Sequence, residues 1–206
     1  MTAQTTQPAS LPWLEKLIAF PTISGTSNLE LIELIEAEFA RYGYSGVRTY
    51  NEDGTRANLL VTIPAADGTT RGGVILSGHT DVVPVDEAKW TRDPFVAQIE
   101  DGAMWGRGTV DMLHLTAAMA VVTREVARRA QNGNPLARSL AFVAAADEEA
   151  RGGLGIPWIG EKRPEALPWD AARSEMGGAH IFGRRGGDSV VVVVGEKGAA
   201  QRRLHI

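Results

Sequence analysis

Residues 139–149 read SLAFVAAADEE, an unbroken apolar run that ends in three acids. A strand with one wet face alternates apolar and polar residues. An unbroken run of this length fits a central strand covered on both faces. Such a strand needs a layer of helix above it and another below, and the rest of the chain offers both.

Leu14, Leu17 and Ile18 have helical spacing within 11–20, which stops at Pro21. A second helix is predicted over 28–43, capped by Ser27 or Asn28, with Leu29, Leu31, Ile32, Leu34, Ile35 and Phe39 inward. A long helix over 111–131 turns Leu115, Ala118, Met119, Val122 and Val126 inward, and further helical residues fall near 152–161. Strands are predicted near 46–50, 58–63 and 73–77. The stretch 95–108 reads as a hairpin turning at Asp101-Gly102. A short strand ends at Glu175, and residues 189–206 read as two strands joined at Glu196–Gly198. Strands alternating with helices predict an α/β fold: a mixed, largely parallel sheet with helices on both faces. Residues 1–10 read as a disordered lead.

The bulk numbers exclude some functions. A net charge of −4 makes no electrostatic case for nucleic acid or an anionic membrane as partner. The longest apolar stretch, around Ser189–Val194, is too short to span a bilayer. The polar start MTAQTTQPAS has no signal-peptide pattern, so a cytoplasmic location is the default reading, though a chain without cysteine is also compatible with export. With no thiolate available, any metal must be held by His, Asp and Glu.

Residues of that kind gather just after predicted strands: His79 and Asp81, then Asp147-Glu148-Glu149, then Glu175. Asp111 stands where GRGTVD enters the long helix. Ligands of open α/β sheets bind beyond the carboxyl ends of the strands, so parallel strands would deliver these groups to one edge. Taken singly, each has an ordinary explanation. A histidine at a strand end is a common hydrogen-bonder, acids favour helix starts, and Gly-Arg-Gly is a turn. Their order and spacing together carry more.

The stretch SGHTDVVPVDEAKWTRDPFVAQIEDGAMWGRGTVDM, followed by AADEEARGG, resembles the M20 metallopeptidases. These include aminoacylases, glutamate carboxypeptidases, succinyl-diaminopimelate desuccinylase and acetylornithine deacetylase. The resemblance implies a zinc-peptidase-like catalytic domain and zinc-dependent hydrolysis of amide or peptide bonds, as a carboxypeptidase or an N-acyl amino acid deacylase. It implies two Zn²⁺ ions, with Co²⁺ a possible substitute, and a substrate bearing a free carboxylate. His79, Asp111, Glu149 and Glu175 would be metal ligands, with Asp111 bridging. Asp81 would orient the His79 ring, and Glu148 would be the general base. By the same resemblance the Asp111–Met112 peptide would be cis.

The chain also departs from the family pattern. DMLHL at 111–115 replaces a usual DMKGG, which makes His114 either a rival ligand or a surface histidine beside the site. Members are about twice this length, with an inserted lid and dimerisation domain that begins just after GEKG. Residues 11–195 would then be the N-terminal part of a C-terminally truncated catalytic domain, and 196–206 the start of the insert. The alternative function is a partial fragment that binds at most one zinc, lacking the late histidine and the substrate-binding lid. Without the insert, no family-type homodimer is expected. Trp90 and Phe95 in WTRDPF stand near the site entrance or serve packing. GRRGGD at 183–188 lacks the Lys-Ser/Thr of a phosphate loop and reads as a turn.

Overall fold

A computed structural model of the chain describes residues 7–150, 153–176, 180–182 and 188–190. It forms two compact units, Met1–Arg173 and Ser174–Ile206. The first runs α1 (Leu11–Ile18), α2 (Leu29–Ala40), β1 (Val47–Tyr50), β2 (Ala57–Ile63), β3 (Val74–His79), β4 (Gln98–Glu100), β5 (Ala103–Trp105), α3 (Leu113–Gln131), β6 (Leu140–Ala145), α4 (Ile156–Lys162) and β7 (Ala171–Arg173). The second holds β8 (His180–Phe182) and β9 (Asp188–Val190), which pair antiparallel. The predicted strands around Glu196–Gly198 lie outside the described residues.

Five strands form one mixed sheet in the order β1-β2-β6-β3-β7. β3 pairs parallel with both β6 and β7, while β1 and β2 add an antiparallel margin. β6 sits at the centre, and all six of its residues are buried. Its side chains alternate between two cores. Leu140, Phe142 and Ala144 join Leu59, Val61 and Ile63 of β2 beneath α1, α2 and α3. Ala141, Val143 and Ala145 face the other way with Ile75 and Ile159 of α4. The apolar run thus reads as a strand with no wet face. Phe142 stacks at a tilt on Phe39 of α2, ring centroids 5.9 Å apart. Each such aromatic or aliphatic side chain contributes roughly 1.5–3 kcal/mol by leaving water.

Three elements differ from the sequence reading in ways that matter near the site. β3 extends two residues further than predicted and includes His79, which pairs with Ala145 of β6. β7 stops at Arg173, two residues short of Glu175. The third is the face of α3. It buries Leu113, Thr116, Ala117, Met119, Ala120, Thr123 and Ala127, while Val122 is 53% exposed. The largest aliphatics predicted a different stripe. Small residues won because the helix crosses the sheet closely at Gly78, where a Cβ would stand 2.5 Å from Thr116 Oγ1. Bulk there would push helix and strand apart.

The hairpin β4–β5 has Asp101 and Gly102 at positive φ (52° and 77°), as its two-residue turn requires. Ser27 Oγ accepts from the Leu29 N–H at the start of α2. Asn28 does not cap. Its amide instead donates to Ala57 O and Thr80 Oγ1 and accepts from the Ala57 N–H, joining the helix start to β2 and the chain beyond β3. Among the described residues, no helix is long and apolar enough to cross a membrane.

Candidate metal centre

The parallel run of β6 and β3 brings two chain exits to one edge of the sheet, residues 79–82 and 146–149. His79, Thr80 and Asp81 are 3%, 0% and 3% exposed. Burial of such polar groups requires partners, and all three have them. Thr80 N–H and Oγ1 both donate to Ala145 O (each 2.8 Å), tying the exits together. Thr116 Oγ1 of α3 donates to His79 O (2.8 Å).

The His79 ring has a defined proton. Nδ1 lies 2.8 Å from the Asp81 carbonyl, which can only accept, so Nδ1 carries the hydrogen. The sequence reading assigns this job to the Asp81 carboxylate, but its nearer oxygen lies 3.5 Å from Nδ1. The main chain does it because the carboxylate is engaged elsewhere. Its Oδ1 accepts from the Glu148 N–H (2.9 Å), and its Oδ2 from the Glu149 N–H (3.1 Å) and the Ser24 hydroxyl (2.7 Å).

In the neutral ring, Nε2 is then an acceptor. It faces Asp111 Oδ1 at 3.2 Å and Glu148 Oε2 at 3.8 Å. Three acceptors converging on one point need a proton or a cation between them. Glu149 agrees: burial first, then the Asp111 charge, pushes its carboxyl above the ordinary range, with Glu148 and Asp81 adding to the rise and His79 opposing it. A divalent ion would relieve that crowding. The donor set of imidazole and carboxylates suits Zn²⁺.

Asp111 arrives through the Gly-Arg-Gly turn. Gly108 has φ +86°, and a Cβ on it would meet Leu113 Cδ1 at 2.6 Å, so the turn requires glycine. Its carbonyl accepts from the Leu113 N–H (2.9 Å) and starts α3. The Asp111–Met112 peptide is trans, against the expectation from the resemblance. The trans form of a non-proline bond is lower by about 3 kcal/mol. Buried Met112 accepts the His79 N–H on Sδ (3.3 Å).

Glu148 and Glu149 lie in the turn after β6 and differ in exposure: the Glu148 side chain is 51% exposed, and Glu149 is less so. Glu175 belongs to the second unit, two residues beyond β7. His114 is the second residue of α3, and its Nδ1 is buried with no hydrogen-bond partner among the described residues. Trp90 lies under the Arg107 guanidinium (5.1 Å), and Phe95 packs on the larger core.

Two residues at this edge, Ser24 and Arg56, escape sequence reasoning, as does the pairing of Asp147. Ser24 reaches Asp81. Asp147 is 3% exposed at φ +53°, and Arg56 Nη1 donates to its Oδ2 at 2.6 Å. No local pattern marks these pairings, because their partners lie far away in the chain.

A family model described as peptidase family M20/M25/M40 matches residues 75–203, more than half of the chain. The chain belongs to this family. Its members are peptidases, and M20 metallopeptidases depend on metal. Solved structures agree on the fold. A family M20 metallo-carboxypeptidase from Sulfolobus solfataricus superposes with a TM-score of 0.66 at 22% identity, over 82% of this chain and 37% of that one. Human carnosine dipeptidase 1 gives 0.62 at 21%, over 80% and 37%. A di-peptidase from Saccharomyces cerevisiae gives 0.57 at 20%, over 80% and 37%. This M20 chain spans little more than a third of the length of these relatives.

Proposed function

We propose that the chain carries the metal-binding part of a zinc-dependent hydrolase of amide or peptide bonds. The observation that carries this reading is the convergence of His79 Nε2, Asp111 Oδ1 and Glu148 Oε2, three acceptors without a covalent reason to meet. His79, Asp111, Glu149 and Glu175 would hold two Zn²⁺ ions. Bound there, the metal would acidify a water and polarise a substrate carbonyl.

The protein's own residues do the rest. Asp81 O keeps the proton on His79 Nδ1, so Nε2 stays available as a ligand. The Asp81 carboxylate holds the two glutamate amides, and so positions both side chains. Glu148, the more exposed of the two, takes the water's proton on its carboxylate and returns it to the leaving amine. The substrate would be a dipeptide or an N-acyl amino acid with a free carboxylate.

Zinc analysis of the purified 206-residue chain, with hydrolysis of dipeptides and N-acyl amino acids, tests this. Two equivalents of zinc with turnover is the expected result. One equivalent or none, without turnover, would favour the alternative of a part that holds at most one ion.

A further inference from the structure

We propose that Arg56 is a positioning residue: its ion pair with buried Asp147 locks a left-handed turn that aims the Glu148 and Glu149 amides at the Asp81 carboxylate. This rests on the reading of Glu149 as a metal ligand only for its consequence, not for its geometry.

Asp147 follows the end of β6 and turns the chain with φ +53°, a conformation that L side chains other than asparagine and aspartate seldom adopt. Its carboxylate is held from two sides. Oδ2 accepts from Arg56 Nη1 at 2.6 Å, and Oδ1 from the Gly25 N–H at 3.1 Å. The next two amides then reach one carboxylate, Glu148 N–H to Asp81 Oδ1 and Glu149 N–H to Asp81 Oδ2. A right-handed or extended residue at 147 would send the chain elsewhere.

Arg56 is itself anchored. Its N–H donates to Asn51 Oδ1 and its carbonyl accepts from the Asn51 N–H, each at 3.0 Å. Its side chain is 17% exposed and that of Asp147 is 4% exposed, so little solvent screens the pair. Without Arg56, the Asp147 charge would keep only the Gly25 amide in a buried place, and swinging the turn outward would relieve it. The segment after α1 reinforces the arrangement, since Ser24 binds Asp81 and Gly25 binds Asp147. Arg56 Nε has no hydrogen-bond partner among the described residues, so the hold on Asp147 is a single end-on contact that a lysine can replace.

Amide hydrogen exchange on the metal-free chain tests this directly. In Arg56→Met, protection of the Glu148 and Glu149 amides should fall about tenfold or more, while Val143 in the centre of β6 keeps its protection. Arg56→Lys should restore most of it. Unchanged protection at 148 and 149, or a fall shared equally by Val143, would overturn the proposal. Should Arg56→Met not fold, Asp147→Asn gives the same reading, because asparagine tolerates the left-handed turn but loses the charge. A metal readout follows: zinc affinity of the folded variant should drop roughly 10–100-fold, as when an outer partner of a ligand is lost. Were the unaltered chain to bind no zinc, the function proposed above would fail, while the exchange result would still decide the role of Arg56.

Discussion

The two chain exits at the site edge are built differently. The exit of β3 is held by the main chain and by hydroxyls: Asp81 O on the ring, Thr116 and Thr22 on the carbonyls of His79 and Thr80. The exit of β6 depends on charge, with Arg56 on Asp147 and Asp81 beneath the two glutamates. One gives a fixed imidazole and the other a turn whose shape depends on ionised groups. Under the proposed function, a site that holds a cation and moves a proton would use both, a rigid ring on one side and an exposed carboxylate on the other.

The largest test of that contrast is Glu148→Gln. Turnover should fall roughly 10²–10⁴-fold, with zinc content and melting temperature close to unaltered, because the side chain is half-exposed and, in the proposed function, would act on the proton alone. Asp81→Ala comes next. It removes the acceptor of three donors, and chemical denaturation should show a loss of about 2–4 kcal/mol, with the β6 exit disordered before the β3 exit. Gly78→Ala should cost about 1–3 kcal/mol by driving a methyl into Thr116, and Thr116→Ala in the same chain should recover part of it, measured as a double-mutant cycle.

A smaller effect concerns pH. Because the Glu149 carboxyl is raised in the fold, the metal-free native state keeps its proton after the unfolded chain has released it. Stability of the metal-free chain should therefore fall as pH rises from the ordinary carboxylate range through the raised value. Zinc affinity should move the opposite way across the same window, since Glu149, as the proposed ligand, would have to be ionised. Denaturation curves and zinc titrations at matched pH would reveal a crossing, and parallel slopes would rule it out. Smallest of all, Val122→Lys should change stability by no more than about 0.5 kcal/mol, since α3 presents that residue to solvent.

Much of this was readable along the chain. The unbroken apolar run marked β6 as central, and Asp101-Gly102 marked the hairpin. His79, Asp111 and Glu148 were singled out, and the fold draws them together. The face of α3 was misread because hydropathy favours the largest aliphatics, whereas a helix crossing close to Gly78 needs small ones. The role of Asp81 was displaced from carboxylate to carbonyl for a similar reason. Residue type says that a group can accept a hydrogen bond, not which donor will reach it.

Sequence by itself determined the layers of the fold and the chemistry at the strand ends, because burial period and residue type are local properties. Only tertiary structure decided the contacts that give those ends their shape. Arg56 and Asp147 stand 91 positions apart, and Asp81 and Glu148 67 apart, and no local rule pairs groups so distant. Parallel pairing of β3 with β6 sets Asp81 beside Glu148, and antiparallel pairing of β2 with β6 brings Arg56, just before β2, beside Asp147, just after β6, where buried charges must find one another or leave the interior.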